Sequence, residues 1–336
     1  MEMKEALAVF LGIGIVLATA CPSAGFGTAL SIMTANVPPG ADIAGMGNCW
    51  VALPNFSSNN PAVAAAGEKF RFGGSYTFGL IIFNSGPNVM IHQVSVAAAL
   101  SKGVLQLTLS NANSGIAATS MDMDAKFVYS PSIELIYGLK VAENLIRDGD
   151  KLYVGIGISF STARMNFSLA GQNQLISRSR GFLLKGGFLY QSPVEGLNFG
   201  GMYAYSRDRN EDRELNINED NGSQYWSSKR STSEMHQFRL GASWQVLPAT
   251  LIAVDYQHLN LGHVKRDQIF AGVEQQIIKD RLYAYGGWAN SGPTAGVGVY
   301  FKDATFNVAY ANNTFNDLNP HLGRSQAIMV TIGGQF

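Results

Sequence analysis

The last twelve residues of the chain, SQAIMVTIGGQF (residues 325–336), decide the fold. Side chains of a strand alternate between its two faces. One face of this stretch is apolar and carries Ile328, Val330, Ile332 and Phe336. The other face carries Thr331 and Gln335. A last strand of this kind is typical of bacterial outer-membrane β-barrels, where it must pair with the first strand because an open edge in hydrocarbon leaves backbone groups without partners.

Stretches that alternate in the same way follow one another from residue 68 to the end of the chain. Residues 94–100 and 105–109 are early examples, and residues 236–246 and 295–301 are later ones. We count about fourteen such stretches, and single-chain bacterial barrels require an even number. The sequence therefore predicts an all-β fold, in which residues 68–336 form a transmembrane antiparallel β-barrel of about 14 strands.

The connections between these stretches alternate between short and long, as expected for a barrel with both chain ends in the periplasm. Tight turns are predicted at residues 101–103, 247–249 and 279–280. Long outer loops are predicted at residues 111–133, 162–178, 206–234 and 312–324. The longest carries twelve of the 48 charged residues. It is predicted to be a solvated, partly disordered surface loop, with a specific binding loop as the alternative.

The N-terminus, residues 1–20, reads as a signal peptide. Lys4 precedes an apolar run that is too short to span a bilayer and that ends in the small-residue site Ala18-Thr19-Ala20. Cys21 follows directly, so the segment also resembles a degenerate lipoprotein signal. Either form of processing predicts export, and with the barrel pattern it predicts the bacterial outer membrane as the location.

Composition excludes several other classes of protein. Charged residues make up 14% of the chain, against a typical value of about 25%. After residue 20 there is no run of about 20 apolar residues, so a helical membrane protein is excluded. The 24 basic and 24 acidic residues cancel, so no nucleic-acid partner is expected. Two cysteines, Cys21 and Cys49, allow at most one disulfide bridge.

Residues 21–67 do not alternate and are rich in Gly and Ala, which suits a plug packed inside the barrel. Within them, AGMGNCWVALPNFSSNNPAVAAA (residues 44–66) resembles the N-terminal hatch motif of the FadL-type and PorV-type outer-membrane barrels. The matching positions are Gly45, Gly47, Val51, Ala52, Asn60, Pro61 and Ala62. Residues 238–260 and 306–336 are similar to paired strands and to the closing hairpin of the same superfamily. One departure is LPNFSSN (residues 53–59), which stands where the motif commonly has an acidic run.

The resemblance implies passive uptake of hydrophobic or amphipathic small molecules, gated by the hatch, with a lateral exit into the membrane. The hatch residues that it implies are Gly45, Gly47, Asn59, Asn60 and Pro61. The hatch also has two aromatic residues, Trp50 and Phe56, which are candidates to face the ligand; packing between plug and wall is the alternative. Several predicted inward positions are polar and favour polar or amphipathic cargo: Arg71, Gln106, Gln237, Arg239, Asp255 and Gln257.

Two other functions have to be weighed. PorV-type relatives hold secreted proteins at the cell surface, and the charged loop at residues 206–234 fits a protein partner. An enzymatic barrel would need a His with a Ser or an acid beside it, and no such spacing stands out around the five His residues. We therefore expect no enzyme activity, no cofactor and no metal site. The partners expected of a channel are membrane lipid, lipopolysaccharide, the barrel-assembly machinery and the hydrophobic cargo.

Overall fold

The structure is a computed structural model. It describes residues 38–53, 59–66, 72–83, 88–114, 117–119, 123–169, 172–217, 224–261, 264–289, 292–312 and 325–335. The predicted signal peptide, Phe56, Arg71 and Phe336 lie outside the described residues. No helix in the described ranges is long and apolar enough to cross a membrane.

Strands dominate the described chain. They are β1 (Phe72–Phe83), β2 (Val89–Leu100), β3 (Gly103–Ser114), β4 (Ala117–Thr119), β5 (Met123–Glu143), β6 (Lys151–Leu169), β7 (Gln172–Gln191), β8 (Leu197–Ile217), β9 (Gln224–Leu247), β10 (Thr250–Leu261), β11 (Val264–Ile278), β12 (Leu282–Ala289), β13 (Gly292–Phe301), β14 (Ala304–Asn312) and β15 (Ser325–Gln335). Each long strand pairs antiparallel with its neighbours in the chain.

Two pairings close the sheet into a ring. β1 pairs with β15, from Gly73 opposite Gln335 to Phe83 opposite Ser325. β3 pairs with β5, while the short β4 only adds to the far end of β5. The result is a closed antiparallel barrel of 14 strands, which confirms the predicted fold class and strand number.

The two faces of the wall differ as the alternation predicts. On the closing strand β15, Ile328 and Ile332 are exposed on the outer surface, and Thr331 is buried on the inner side. Large apolar side chains are likewise exposed around the ring, for example Leu184, Val254 and Val297. Because a water-exposed surface would not carry so broad an apolar band, the outer face suits lipid.

The connections confirm one part of the prediction and correct another. Short turns join β2 to β3, β9 to β10 and β11 to β12, as expected. Residues 162–178 and 206–234, however, were predicted as loops, and most of them are strand. β6 and β7 remain paired as far as Leu169 opposite Gln172, and β8 and β9 as far as Ile217 opposite Gln224.

This correction has a simple physical reason. Beyond the lipid-facing band a strand needs no apolar face, so its side chains can be polar on both sides. Residues 206–217 and 224–234 are of this kind. The backbone hydrogen bonds of a hairpin form regardless of that composition, so apolar alternation ends well before the strands do. β5 likewise begins at Met123, inside the predicted loop 111–133, while residues 313–324 of the last predicted loop lie outside the described ranges.

The turn between β5 and β6 is held by one carboxylate. Backbone N–H groups of Leu145, Ile146 and Arg147 donate to Asp150 at 2.6, 2.8 and 3.1 Å, and the hydroxyl of Tyr190 donates to it at 3.0 Å. Burial alone raises the pKa of Asp150, but these donors favour the charged form and hold the pKa below its ordinary value of 3.8.

We expect acid to loosen this turn. Because the pKa of Asp150 is lower in the folded protein, the stabilisation is present above pH 3.8 and is lost as the pH falls through the lowered value. Hydrogen exchange of the amides at residues 145–147 measures it. Asp150→Asn should speed their exchange at neutral pH, while the turn at residues 279–281 stays unchanged and serves as the control. Unchanged exchange at residues 145–147 would show that the carboxylate does not hold the turn.

The outward face can be tested at Val254, which is half exposed on β10. We expect Val254→Arg to lower the free energy of unfolding by about 2–4 kcal/mol, because the charged side chain must then enter hydrocarbon. Urea titration of the barrel folded into lipid vesicles measures this. The matched change Ser228→Arg, on the outward face of the β8–β9 hairpin, should have little effect. Equal losses for the two variants would contradict a lipid-facing Val254.

Candidate functional site

An inner segment, defined here as residues 38–53 and 59–66, lies inside the barrel. Its helix α1 (Ala41–Gly45) packs against β12 to β15, and its 3-10 turn (Val63–Ala65) packs against β3, β5 and β6. These strands lie on well-separated arcs of the ring, so the segment crosses the lumen. Nearly all of its residues are buried, and only Asn59 and Ala65 are partly exposed.

The first attachment of the inner segment is at the seam where the ring closes. The backbone N–H of Ala41 donates to the hydroxyl of Thr331 on β15 at 2.9 Å. The same hydroxyl lies 2.9 Å from that of Thr77 on β1, and the Thr77 hydroxyl donates to the carbonyl of Pro39 at 3.4 Å. One cluster of hydroxyl groups therefore joins the first strand, the last strand and the inner segment.

The predicted hatch glycines allow a close approach to the wall. The hydroxyl of Thr294 accepts a bond from the N–H of Gly47 at 2.9 Å and donates to the carbonyl of Gly45 at 2.7 Å. Gly47 has a φ of 69°, a conformation that favours glycine. A Cβ at Gly47 would also collide with the carbonyl of Ala271 and the backbone of Trp288. The site therefore requires glycine for both conformation and space.

Asn60 joins the two described parts of the inner segment, residues 38–53 and 59–66, to each other and to the wall. Its Nδ2 donates to the carbonyl of Val51 at 2.7 Å and to that of Phe188 on β7 at 2.9 Å, and its Oδ1 accepts from the N–H of Ala62 at 3.1 Å. The carbonyl of Pro61 faces the strands at Gly155. Asn60 and Pro61 are thus brought together against the wall, while Asn59 borders the cavity described below.

A buried ion pair anchors the middle of the inner segment. Oδ2 of Asp255 accepts from the backbone N–H groups of Trp50 and Val51 at 2.8 and 3.1 Å, and from Nε of Arg239 at 3.0 Å. Arg239 also donates to the carbonyl of Asn48. Both charged side chains are almost fully shielded from solvent. Charge-assisted bonds in such a setting are strong, and each partner is costly to leave alone.

The guanidinium of Arg239 is held between two aromatic rings. Its Cζ lies 4.2 Å from the ring centroid of Trp50 and 4.3 Å from that of Phe270. Trp50 therefore packs between the plug and the wall, and it also borders the cavity described below. The other candidate ligand-facing aromatic residue, Phe56, lies outside the described residues.

Sequence reasoning placed Arg239 and Asp255 on the inward face but missed their role as an anchor. The available signal was an inward Arg and an inward acid on consecutive predicted strands. Gln257 lies directly opposite Arg239 across β9 and β10, and it accepts from Nη1 of Arg239 at 3.1 Å. In this barrel, the charged pair on the lumen side of the β9–β10 hairpin therefore marks the place where the backbone of the inner segment is bound.

A cavity of about 130 Å³ remains between the inner segment and one arc of the wall. Its lining mixes apolar and polar side chains: Trp50, Ile91 and Leu183 are apolar, and Ser110, Ser132, Glu134, Ser161, Lys185 and Asp208 are polar. Lys185 Nζ and Glu134 Oε1 form a shielded salt bridge at 2.7 Å. The site can therefore accommodate a small apolar body that carries a hydrogen-bonding group.

Comparison with solved structures assigns the architecture. The chain is similar to the Ralstonia pickettii toluene transporter TbuX (TM-score 0.57, 11% identity, 88% of this chain and 98% of that chain covered). It is similar to the CymD monoaromatic hydrocarbon channel (TM-score 0.57, 12% identity, 88% and 97% covered) and to a Pseudomonas aeruginosa FadL homologue (TM-score 0.53, 11% identity, 88% and 98% covered). No protein-family model and no curated protein sequence matches the chain.

The chain has the FadL-type barrel fold. At these identities the likeness establishes the fold alone. Three of the five His side chains lie among the described residues, and each has a partner on the outer surface. His92 lies 2.8 Å from the hydroxyl of Tyr76, and His258 lies 2.8 Å from the carboxylate of Asp267. His236 is bonded in the same way to a tyrosine hydroxyl.

The described ranges contain no group of three or more His, Cys, Asp or Glu side chains that could hold a metal ion.

The anchor can be tested with the buried thiol of Cys49, which donates to the carbonyl of Ala253 at 3.5 Å. On a Cys21→Ser background, Cys49 is the sole cysteine. We expect Asp255→Asn to speed maleimide labelling of Cys49 strongly, because leaving Arg239 buried without its charge partner costs about 3–5 kcal/mol and loosens the inner segment. The matched change Asp267→Asn, on the outer surface, should leave the labelling rate unchanged. A rate that Asp255→Asn does not alter would show that the segment does not depend on this pair.

Proposed function

We propose that the protein is an outer-membrane channel for passive uptake of hydrophobic or amphipathic small molecules, in which residues 21–67 act as a hatch. The observation that carries the proposal is the inner segment itself, which crosses the lumen and is bonded to the wall on several sides. A filled lumen opposes bulk diffusion, so passage requires a specific route. The likeness to toluene transporters and to a monoaromatic hydrocarbon channel supports this function.

The cavity supports a small amphipathic cargo. Its volume of about 130 Å³ is close to the roughly 150 Å³ of an engineered apolar cavity that binds benzene. Unlike that cavity, its wall presents several hydroxyl groups and the Lys185–Glu134 pair. An aromatic ring with a hydroxyl or amide substituent could satisfy such groups, whereas a pure hydrocarbon would leave them unpaired. We therefore propose substituted monoaromatic compounds as the cargo class.

For the lateral exit we propose the seam between β5 and β6. The ladder between these strands skips Ser130 and Pro131, between Tyr129 opposite Arg164 and Ser132 opposite Ser161, and Ser132 and Ser161 both line the cavity. Proline has no N–H to donate to a neighbouring strand, so the pairing is weaker at this point. A weak seam beside the cavity provides a path from the lumen to the lipid.

A second candidate function is the attachment of a secreted protein at the cell surface. The observation that favours it is the β8–β9 hairpin, where Tyr225 and Trp226 are about half exposed near the tip. Exposed aromatic side chains of this kind are common in protein interfaces. The proposed channel and this alternative differ in whether cargo crosses the barrel.

The test is a reversible lock on the hatch. Ala253 lies beside Cys49 inside the barrel, so Ala253→Cys on the Cys21→Ser background places two thiols together. We expect expression of the reduced protein to raise the uptake of benzyl alcohol by whole cells above that of vector controls. Oxidation should return uptake to the vector level, and a reductant should restore it, because a hatch tied to the wall cannot move aside.

The same preparation supplies the controls. Gel mobility with and without reductant shows whether the bridge has formed, and the unlocked Cys21→Ser parent reports effects of the oxidant alone. Uptake no greater than that of the vector would overturn the channel proposal. Equal uptake in the fully bridged and reduced states would overturn the moving hatch while leaving a channel in place.

A further inference from the structure

The outward face of β6 to β9 changes character abruptly along its length. From the inner end of β8, the outward side chains run through Phe199, Tyr203 and Tyr205 to Arg207 and Arg209. The apolar and aromatic part, from Leu197 to Tyr205, spans nine residues, which is within the length of a membrane-crossing strand. The part that follows is cationic. The change therefore lies where the outer leaflet of a bilayer would end.

An aromatic rim marks this boundary on the neighbouring strands. Its members are Phe182, Tyr205 and His236, with ring centroids 6.0 Å apart for the first pair and 5.1 Å apart for the second. Aromatic girdles of this kind lie at the level of the lipid head groups. Side chains directly beyond the rim on the outward face therefore point at head groups rather than at bulk water.

Beyond the rim lies an arginine patch, which we define as Arg164, Arg178, Arg180, Arg207, Arg209, Arg213 and Arg230. All seven lie on the outward face of β6 to β9. The carboxylates on the same stretch of that face are Glu211 and Glu234, which form salt bridges with Arg213 at 3.1 Å and with Arg207 at 3.5 Å. The described patch therefore carries a clear excess of positive charge.

The cross-strand register places like charges together. Arg164 lies directly opposite Arg178, and Arg180 lies directly opposite Arg209. Like charges in such positions destabilise a sheet, because their Cβ atoms are about 5 Å apart. The electrostatic repulsion within each arginine pair falls when an anion lies between the two guanidinium groups. Two such pairs on adjacent strands are therefore suited to a multiply charged anionic group.

The patch also has a hollow in which to hold that group. A concavity of about 600 Å³ is bordered by Arg178, Arg180, Arg209 and Arg230, and also by Glu211, which lies opposite Arg178 and Arg230 in the sheet. Four guanidinium groups around one carboxylate leave the hollow with an excess of positive charge. Nε of Arg178 is shielded and has no hydrogen-bond partner among the described residues. A guanidinium with an unused donor is costly to bury and is well shaped to bind a phosphate with two parallel bonds.

We propose that the arginine patch binds the phosphate groups of a phosphorylated lipid of the outer leaflet, lipopolysaccharide being the form that such a leaflet supplies. The occupant is set by position as well as by charge. The patch continues directly from the lipid-facing band and faces away from the lumen, so an anion bound there extends its acyl chains down the apolar outer wall. The inward face of the same hairpins instead carries Asp208, Asp212 and Lys229. This inference does not depend on which cargo the channel passes.

The test uses the full chain in mild detergent, with native mass spectrometry to count bound bisphosphorylated lipid A. We expect the triple variant Arg178→Gln/Arg209→Gln/Arg230→Gln to weaken binding by about 100-fold, because each cationic side chain near an anionic lipid surface contributes roughly a factor of five. A triple Arg→Lys variant at the same positions keeps the charge but loses the paired bonds, so its affinity for lipid A should lie between those of the parent and the Arg→Gln variant. Lipid A that carries one phosphate should bind more weakly than the bisphosphorylated form.

The matched control is Lys102→Gln/Lys279→Gln/Lys302→Gln, which removes three charges at the opposite end of the barrel. It should bind lipid A as the parent does, and heat-dependent gel mobility confirms that every variant is folded. Equal loss in the control, or no loss in the patch variant, would overturn the proposal. Binding of inorganic pyrophosphate as tight as that of lipid A would also overturn it, because the site would then recognise a free anion. Loss of a co-purifying polypeptide from the patch variant, with lipid binding by that variant unchanged, would do the same. Cargo uptake by the same variants distinguishes failure here from failure of the channel.

Discussion

The pairing of β1 with β15 is the constraint on which the rest of the structure depends. Without it, two strands would present unpaired backbone groups to the surrounding lipid, where each such group costs several kcal/mol. The seam is held by more than its ladder, because Thr331 and Thr77 bond to each other and to the start of the inner segment. Closure of the wall and positioning of its contents are therefore parts of one arrangement.

A ring of this size encloses more space than its own inward side chains can fill. The inner segment fills much of this space. Its backbone N–H and C=O groups are thereby shielded from water, so they need hydrogen-bond partners in the wall. Asp255 and Arg239 satisfy several of them at once. A neutral wall could pack against the segment, but it would offer no comparable preference for one register of the segment over another. The buried ion pair thus gives the contents of the lumen a defined position.

Local patterns in the sequence were sufficient to predict the strands of the wall, but they did not predict the contacts between the wall and the inner segment. The faces of Ile328 and Thr331 follow from alternation along a single strand, and the glycine-rich character of residues 44–47 follows from the need for close packing. The hairpins at residues 206–234 were missed because strands beyond the lipid band need no apolar face. The contact of Arg239 with Trp50 and Phe270 was missed because it joins three distant parts of the chain, and no local pattern encodes it.

The unequal strand lengths give the barrel a lopsided rim. β9 has 24 residues and β12 has 8, and each residue adds about 3.3 Å along a strand. The wall formed by β6 to β9 therefore extends further at one end of the barrel than the wall formed by β12 and β13. The described wall is therefore asymmetric, and a solute that reaches the lumen over β12 and β13 passes a much shorter wall than one that approaches over β6 to β9.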